Sequence, residues 1–261
     1  MEPLRIPASM YRVIRLALGA TALATLPALA LAQKSNIPMN NSSEAAASAD
    51  APGMLSVDQI VARLDRANKR RQDDLAGYKE ERHYSVTYHG FPADLNAKMA
   101  VEVTYEAPET KDFRILSQTG SKLLADHVLK KLLTTEKAAA RDPRETALST
   151  ENYSFTLLGE ERVDNRPCYK LAVDPKGDSK LLYRGTIWVD ADDFAVTQID
   201  AQPAHSPSFW IRSTKIHHIY AKTGPFWLPE HNESDTDVRF GGRAVLTIDY
   251  GTYQTTAADP H

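Results

Sequence analysis

The feature that most constrains this chain is the succession of short alternating segments, each closed by turn residues, between Tyr153 and Tyr253. Tyr153, Phe155 and Leu157 lead to a turn at Asp164-Asn165. Tyr169, Leu171 and Val173 lead to Lys176-Gly177-Asp178. Leu181, Tyr183, Ile187 and Val189 lead to Ala191-Asp192-Asp193, and Phe194, Val196 and Gln198 return. Apolar residues at every second position put one face of each strand into a core, and connections this short join antiparallel neighbours. Later segments, Phe209 to Tyr220, Trp227 to Phe240 and Ala244 to Tyr253, continue the pattern across Thr223-Gly224 and Gly241-Gly242. The paired glycines between two alternating runs are the sharpest hairpin signal.

Two helical segments precede this meander. Ser56 with Gln59 three residues on fits a capping box, and Val57, Ile60, Val61, Leu64 and Ala67 form one apolar stripe. Leu75 closes that stripe and Gly77 stops the helix in this reading. Tyr84, Val86 and Tyr88, then Met99, Val101, Val103 and Tyr105, alternate as two strands. Pro108 ends the second, and Phe113, Ile115 and Ser117 begin a third. Ser121 to Ala140 reads as a helix with Leu124, Val128, Leu129 and Leu132 on one face, and Pro143 bars its continuation. About nine to eleven strands in one sheet must curl. The fold class expected is α+β, an incomplete, strongly curved antiparallel β-barrel wrapped over two main helices. Helices that fill such a curve imperfectly leave an elongated apolar cavity.

Ahead of the domain, Arg12 and Arg15 precede an apolar stretch from Leu16 that ends Ala30-Leu31-Ala32. A positive start, an apolar middle and a small-x-small end make a secretory signal, cleaved after Ala32. The expected organisation is a signal peptide over 1–32, a disordered polar linker over 33–53, and one domain over 54–261. The mature form then lacks a transmembrane segment and works as a monomer in the periplasm. The formal net charge is −3, and loss of three arginines and one glutamate with the signal makes the remainder more acidic. That balance excludes the broad positive field of a nucleic-acid binder. Cys168 is the single cysteine, so no internal disulfide is possible, and its strand setting suits a buried inert thiol.

No Gly-x-Ser-x-Gly elbow, glycine-rich phosphate loop or dinucleotide fingerprint is present. His231, Glu233, Asp235 and Asp237 alternate and share a strand face, with His217 and His218 upstream. Such a set could hold a divalent ion for a hydrolase, but alternating acids also suit the wet face of an antiparallel sheet, which is the preferred reading. Adjacent histidines on a strand point to opposite faces. No catalytic residue, metal or cofactor is therefore expected. Tyr84, Val86, Met99, Val101, Val103, Leu124, Val128, Leu132, Ile187, Trp210 and Trp227 are the candidates for lining an apolar ligand cavity, although from pattern alone an ordinary packed core is the preferred reading of such faces.

Three stretches carry a family resemblance. They are Val101-Glu102-Val103-Thr104-Tyr105-Glu106-Ala107-Pro108 with Phe113-Arg114; Thr186-Ile187-Trp188-Val189-Asp190 with the return through Ile199; and Gly224-Pro225-Phe226-Trp227-Leu228-Pro229 with the hairpin through Gly241-Gly242 to Tyr250. In these stretches and in the order of its elements the chain resembles the LolA/LolB-like periplasmic lipoprotein carriers, in the branch of outer-membrane lipoprotein-sorting proteins. Ala107 stands where LolA has an arginine before the proline. The resemblance implies a half-barrel holding lipoprotein or lipid acyl chains without catalysis, with envelope transport or acceptor proteins as partners. The alternatives are an envelope sensor of RseB type that binds protein, and a metal-dependent hydrolase centred on His231 and Glu233.

Overall fold

The computed structural model describes residues 55–258 apart from positions 92, 109, 141–145, 178–180, 207–208 and 240–241. The signal segment, its cleavage site, the linker and Gly241 of the paired glycines lie outside the described residues.

Helix α1 spans Val57–Asp74. Its capping box is complete: Gln59 N donates to Ser56 Oγ at 3.3 Å, and Ser56 N donates to Gln59 Oε1 at 2.9 Å. Ile60, Val61, Leu64 and Ala67 are the buried stripe. The expected end of this helix is corrected. Leu75 is extended and opens strand β1 (Leu75–Gly90), and Gly77 lies inside that strand. Pairing decides this: Leu75 is paired with Ala257 on one side, and Gly77 with Thr256 on that side and Glu106 on the other. A Cβ on Gly77 would stand 2.5 Å from the Tyr105 carbonyl oxygen, so the glycine serves strand approach.

The remaining strands are β2 (Leu95–Glu106), β3 (Thr110–Gly120), β4 (Tyr153–Val163), β5 (Arg166–Pro175), β6 (Tyr183–Asp190), β7 (Val196–Pro203), β8 (Ile211–Thr223), β9 (Phe226–Val238), β10 (Gly242–Tyr250) and β11 (Gln254–Ala257). All join one antiparallel sheet in the order β3-β2-β1-β10-β9-β8-β7-β6-β5-β4, with β11 on β1. Strands β3 and β4 are its free edges, so the curved sheet stays open. Asp164 and Asn165 both take positive φ, 48° and 65°, as a two-residue hairpin that follows the strand twist requires. The last expected strand is two strands. β10 pairs Arg82 to Gly90 and β11 pairs Leu75 to Lys79, and the chain steps between them at Gly251, whose amide donates to Glu81 O at 2.8 Å.

Helix α2 begins with Lys122–Leu124, passes through a π-helical turn at Ala125–Leu129 and continues over Lys130–Ala139. Its buried residues are Leu124, Ala125, Val128, Leu129, Leu132, Leu133 and Glu136, a repeat of four. An ideal helix would rotate such a repeat by roughly 40° each time. The wider π turn takes up part of that drift and keeps the stripe on the sheet. No helix among the described residues is long and apolar enough to cross a membrane.

The core is in two parts. Helix α2 packs with β1, β2, β10 and the ends of β8 and β9, and α1 packs with β4 to β7. A buried charge cluster ties α2 to its half. Glu136 Oε1 accepts from Arg82 Nη1 at 2.8 Å and from Lys111 Nζ at 2.5 Å, and Arg82 also binds Glu80. Burial alone would raise the Glu136 carboxyl, but Arg82 and Lys111 outweigh it and hold the pKa at about 2. An ordinary glutamate in the unfolded chain titrates near 4.5. Glu136 therefore stabilises the fold fully above that pH, and its contribution is lost as pH falls from about 4.5 toward 2. Glu136→Gln should cost about 3–5 kcal/mol at pH 7 by leaving Arg82 and Lys111 short of a partner. Urea unfolding at pH 7 and pH 3 checks this; the variant should lose less stability between the two than the parent does.

Candidate functional site

Register places one row of side chains across the concave face: Met99, Tyr84, Ile248, Asn232, His218, Ile199, Ile187 and Leu171. The next row runs Ala97, Val86, Leu246, Ser234, Ile216 and Ala201. Both rows are largely apolar at their ends; the first is polar on β8 and β9, through His218 and Asn232, and the second on β9 alone, through Ser234. Thr214 and Thr236 lie one pair further along and bond to each other at 3.0 Å.

Of the residues assigned to the cavity from sequence, Tyr84, Val86, Met99, Val101, Val103, Leu124, Val128 and Leu132 come together in the α2 core. Ile187 lies in the α1 core. Trp210 is half-buried beside Phe209, their rings 5.6 Å apart. Trp227 stands at the junction of the two cores, with its Nε1 donating to Asp193 Oδ2 at 3.0 Å. There it lines a cavity of about 50 Å³ with Leu75, Phe226 and Leu228 from one core and Leu148, Val196 and Tyr220 from the other. That volume suits one or two waters, so a larger occupant requires the two halves to part.

Of the polar residues of the concave face, the sequence offers only His218, within the candidate metal set, and neither Asn232 nor Ser234. His218, Asn232 and Ser234 are at most 1% exposed. Asn232 Nδ2 donates to Tyr250 Oη at 2.8 Å, and the Tyr250 ring lies under the Arg82 guanidinium at 4.4 Å. Burial, with smaller contributions from His217 and His231, lowers the His218 pKa to about 3, so its ring is neutral at physiological pH. The signal available in the sequence was β9 itself, polar in both registers although central in the sheet.

On the convex face His217, His231, Asp235 and Asp237 have cross-strand partners. His217 Nδ1 meets Asp200 at 2.5 Å and His231 Nδ1 meets Asp249 at 2.6 Å. Asp235 accepts a two-pronged bond from Arg243, and Asp237 accepts from Ser213. Among the described residues no three His, Cys, Asp or Glu side chains converge as metal ligands. His217 faces outward and His218 inward, as adjacent strand residues must. Cys168 is buried, its thiol pushed up by burial and near Thr197 Oγ1 at 3.8 Å.

A family model described as "Family of unknown function (DUF5686)" matches residues 146–255. No curated protein matches. Solved structures similar to this chain include a DUF1329 family protein from Desulfovibrio piger (14% identity, 78% of this chain and 95% of that one, TM-score 0.39). A LolA superfamily protein from Nitrosomonas europaea is 11% identical over 79% of this chain and 96% of its own, with TM-score 0.34. The lipoprotein LppX from Mycobacterium tuberculosis is 11% identical over 76% and 96%, with TM-score 0.28. The likeness to the LolA superfamily is thus met among solved structures, and it concerns the fold alone.

A neutral buried histidine has a sign that can be measured. The folded pKa is about 3 against 6.5 unfolded, so the unfolded chain binds the extra proton between those values and stability falls as pH drops below 6.5. From pH 7 to 5, above the range in which Glu136 titrates, His218→Phe should flatten this decline. Urea midpoints at the two pH values check it, and an unchanged slope would show that His218 titrates alike in both states.

Proposed function

We propose that this chain is a non-enzymatic binder or carrier of lipid or lipoprotein acyl chains, acting in the periplasm after removal of its export signal. The observation that carries the reading is the division of the interior. One continuous open sheet covers two separate apolar cores, each with its own helix. A domain of this size ordinarily has one contiguous core. Two cores that meet along β8 and β9 can separate there while each keeps its packing, and the small cavity at Trp227 supports entry of a chain end at that junction.

The energetics suffice. Each methylene moved from water to an apolar groove contributes ~0.8 kcal/mol, so about fifteen carbons supply on the order of 10 kcal/mol before ordering costs. No catalytic group is needed for that. A second reading, a protein-binding module, draws on edge strand β3, where Ile115 and Leu116 are exposed beside unpaired backbone.

The test is mass spectrometry of an organic extract of the mature protein purified from a bacterial periplasm without detergent, together with titration by a brominated fatty acid. The expected results are a stoichiometric acyl lipid and quenching of tryptophan emission that largely disappears in Trp227→Phe. A blank extract with no quenching overturns the carrier reading and favours the protein-binding module.

A further inference from the structure

Three side chains in the middle of the concave face lack what buried polar groups almost always have. Both ring nitrogens of His218, Oδ1 of Asn232 and Oγ of Ser234 have no hydrogen-bond partner among the described residues. Such groups are costly to bury unpaired, and where they persist in a fold something else meets them. The cost is not a general property of polar strands here, because Thr214 and Thr236 on the same two strands satisfy each other.

The three are placed together by register. His218 and Asn232 face each other across β8 and β9, and Ser234 is two residues along on the same face. Asn232 is oriented by its bond to Tyr250, which uses one of its two amide hydrogens and leaves the oxygen unpaired. Apolar residues flank the three on both sides: Ile248 and Leu246 from β10, Ile199 and Ile216 from β7 and β8. The arrangement is a polar spot between two greasy surfaces, which is complementary to an amphiphile whose polar group sits beside its acyl chain.

The chemistry of the spot selects the polar group. A neutral imidazole offers one donor and one acceptor, the serine hydroxyl one donor and acceptor lone pairs, and the asparagine its oxygen as acceptor and its second amide hydrogen as donor. None of the three carries charge at neutral pH. The buried cations among the described residues, Arg82 and Lys111, are already engaged by Glu80 and Glu136. A carboxylate or phosphate brought here would be buried without a counter-charge, which is strongly unfavourable. Hydroxyl and ester carbonyl groups would find partners. We propose that His218, Asn232 and Ser234 form a recognition site for a neutral, hydroxyl-bearing acyl ester of the glycerolipid class, an inference that rests on the acyl-binding reading above.

The experiment is displacement of a fluorescent acyl probe by monooleoylglycerol and by oleate at neutral pH, on the mature chain and on His218→Phe and Ser234→Ala. The parent should prefer monooleoylglycerol by at least about tenfold, a difference of about 1.4 kcal/mol. Each substitution should erase most of that preference while oleate binding stays within about twofold. Thermal unfolding midpoints should be maintained or raised, since the substitutions remove unpaired polar atoms. The conservative Ser234→Ala variant keeps the test valid should His218→Phe not fold. Equal affinity for the two ligands in the parent, or equal losses for both in the variants, overturns the site and leaves the three groups as hosts of buried water only. Failure of the parent to bind either ligand overturns the acyl-binding reading, and the site with it.

Discussion

The ion pair between Arg82 and Glu136 fixes where everything on one half of the concave face can sit. Arg82 is 1% exposed in the middle of β1, where an unpaired charge would be prohibitive. Its partners come from its own strand, through Glu80, and from α2, through Glu136, which Lys111 of β3 also binds. The two acids and two bases balance. Replacing such a cluster by apolar residues often leaves stability unchanged or higher, so its value lies elsewhere. A purely apolar α2 could slide along the sheet, whereas Glu136 meets both cations at one helix position only. The same guanidinium reaches further. It donates to Tyr84 Oη at 3.2 Å and stacks on Tyr250, whose hydroxyl takes the Asn232 amide. A single register therefore extends from α2 through β1 and β10 to the polar residues of β9.

Much of this architecture was legible because most strands bury one face. In β1 and β2, Tyr84, Val86, Met99, Val101 and Val103 alternate with polar residues, and period two assigned them correctly to one side. The number of strands and their antiparallel succession followed from turns such as Asp164-Asn165, whose positive φ few other residue pairs adopt readily. Local pattern failed where a neighbour decided the outcome. Leu75 lies at a helical spacing from α1, yet pairing with β11 draws it into β1. Helix α2 was visible as an apolar stripe, but nothing in a list of charges marks Glu136 as the one turned inward. The clue was on β1, where Glu80 and Arg82 share the inner register with Tyr78 and Tyr84.

Strand β9 shows the limit most clearly. His231, Glu233, Asp235 and Asp237 share one face and Asn232, Ser234 and Thr236 the other, so hydrophobicity does not say which is inside. The four charged or ionisable residues drew attention as possible ligands, while the three neutral ones were passed over. Pairing resolves the choice: Ile248 and Leu246 of β10 stand opposite Asn232 and Ser234, and they belong to the buried side. Neutral polar residues can be buried at moderate cost and carboxylates only beside a cation; with the buried Arg82 and Lys111 taken by Glu80 and Glu136, Asp235 and Asp237 go outward to Arg243 and Ser213.

The polarity of that strip also explains why the interior is divided. Had β8 and β9 carried leucine and valine at these positions, the α1 and α2 cores would join into one, and two helices packed on a common apolar floor would resist separation along any line. With His218, Asn232, Ser234 and the threonine pair between them, apolar contact is strong within each half and weak across the junction. In the proposed acyl-binding role, opening along β8 and β9 would expose groups that gain hydrogen bonds from the entering ligand, while the charge cluster would hold α2 to its own half. The same residues that lower the stability of the closed fold would, in that role, define both the line of opening and the chemistry that closes it again.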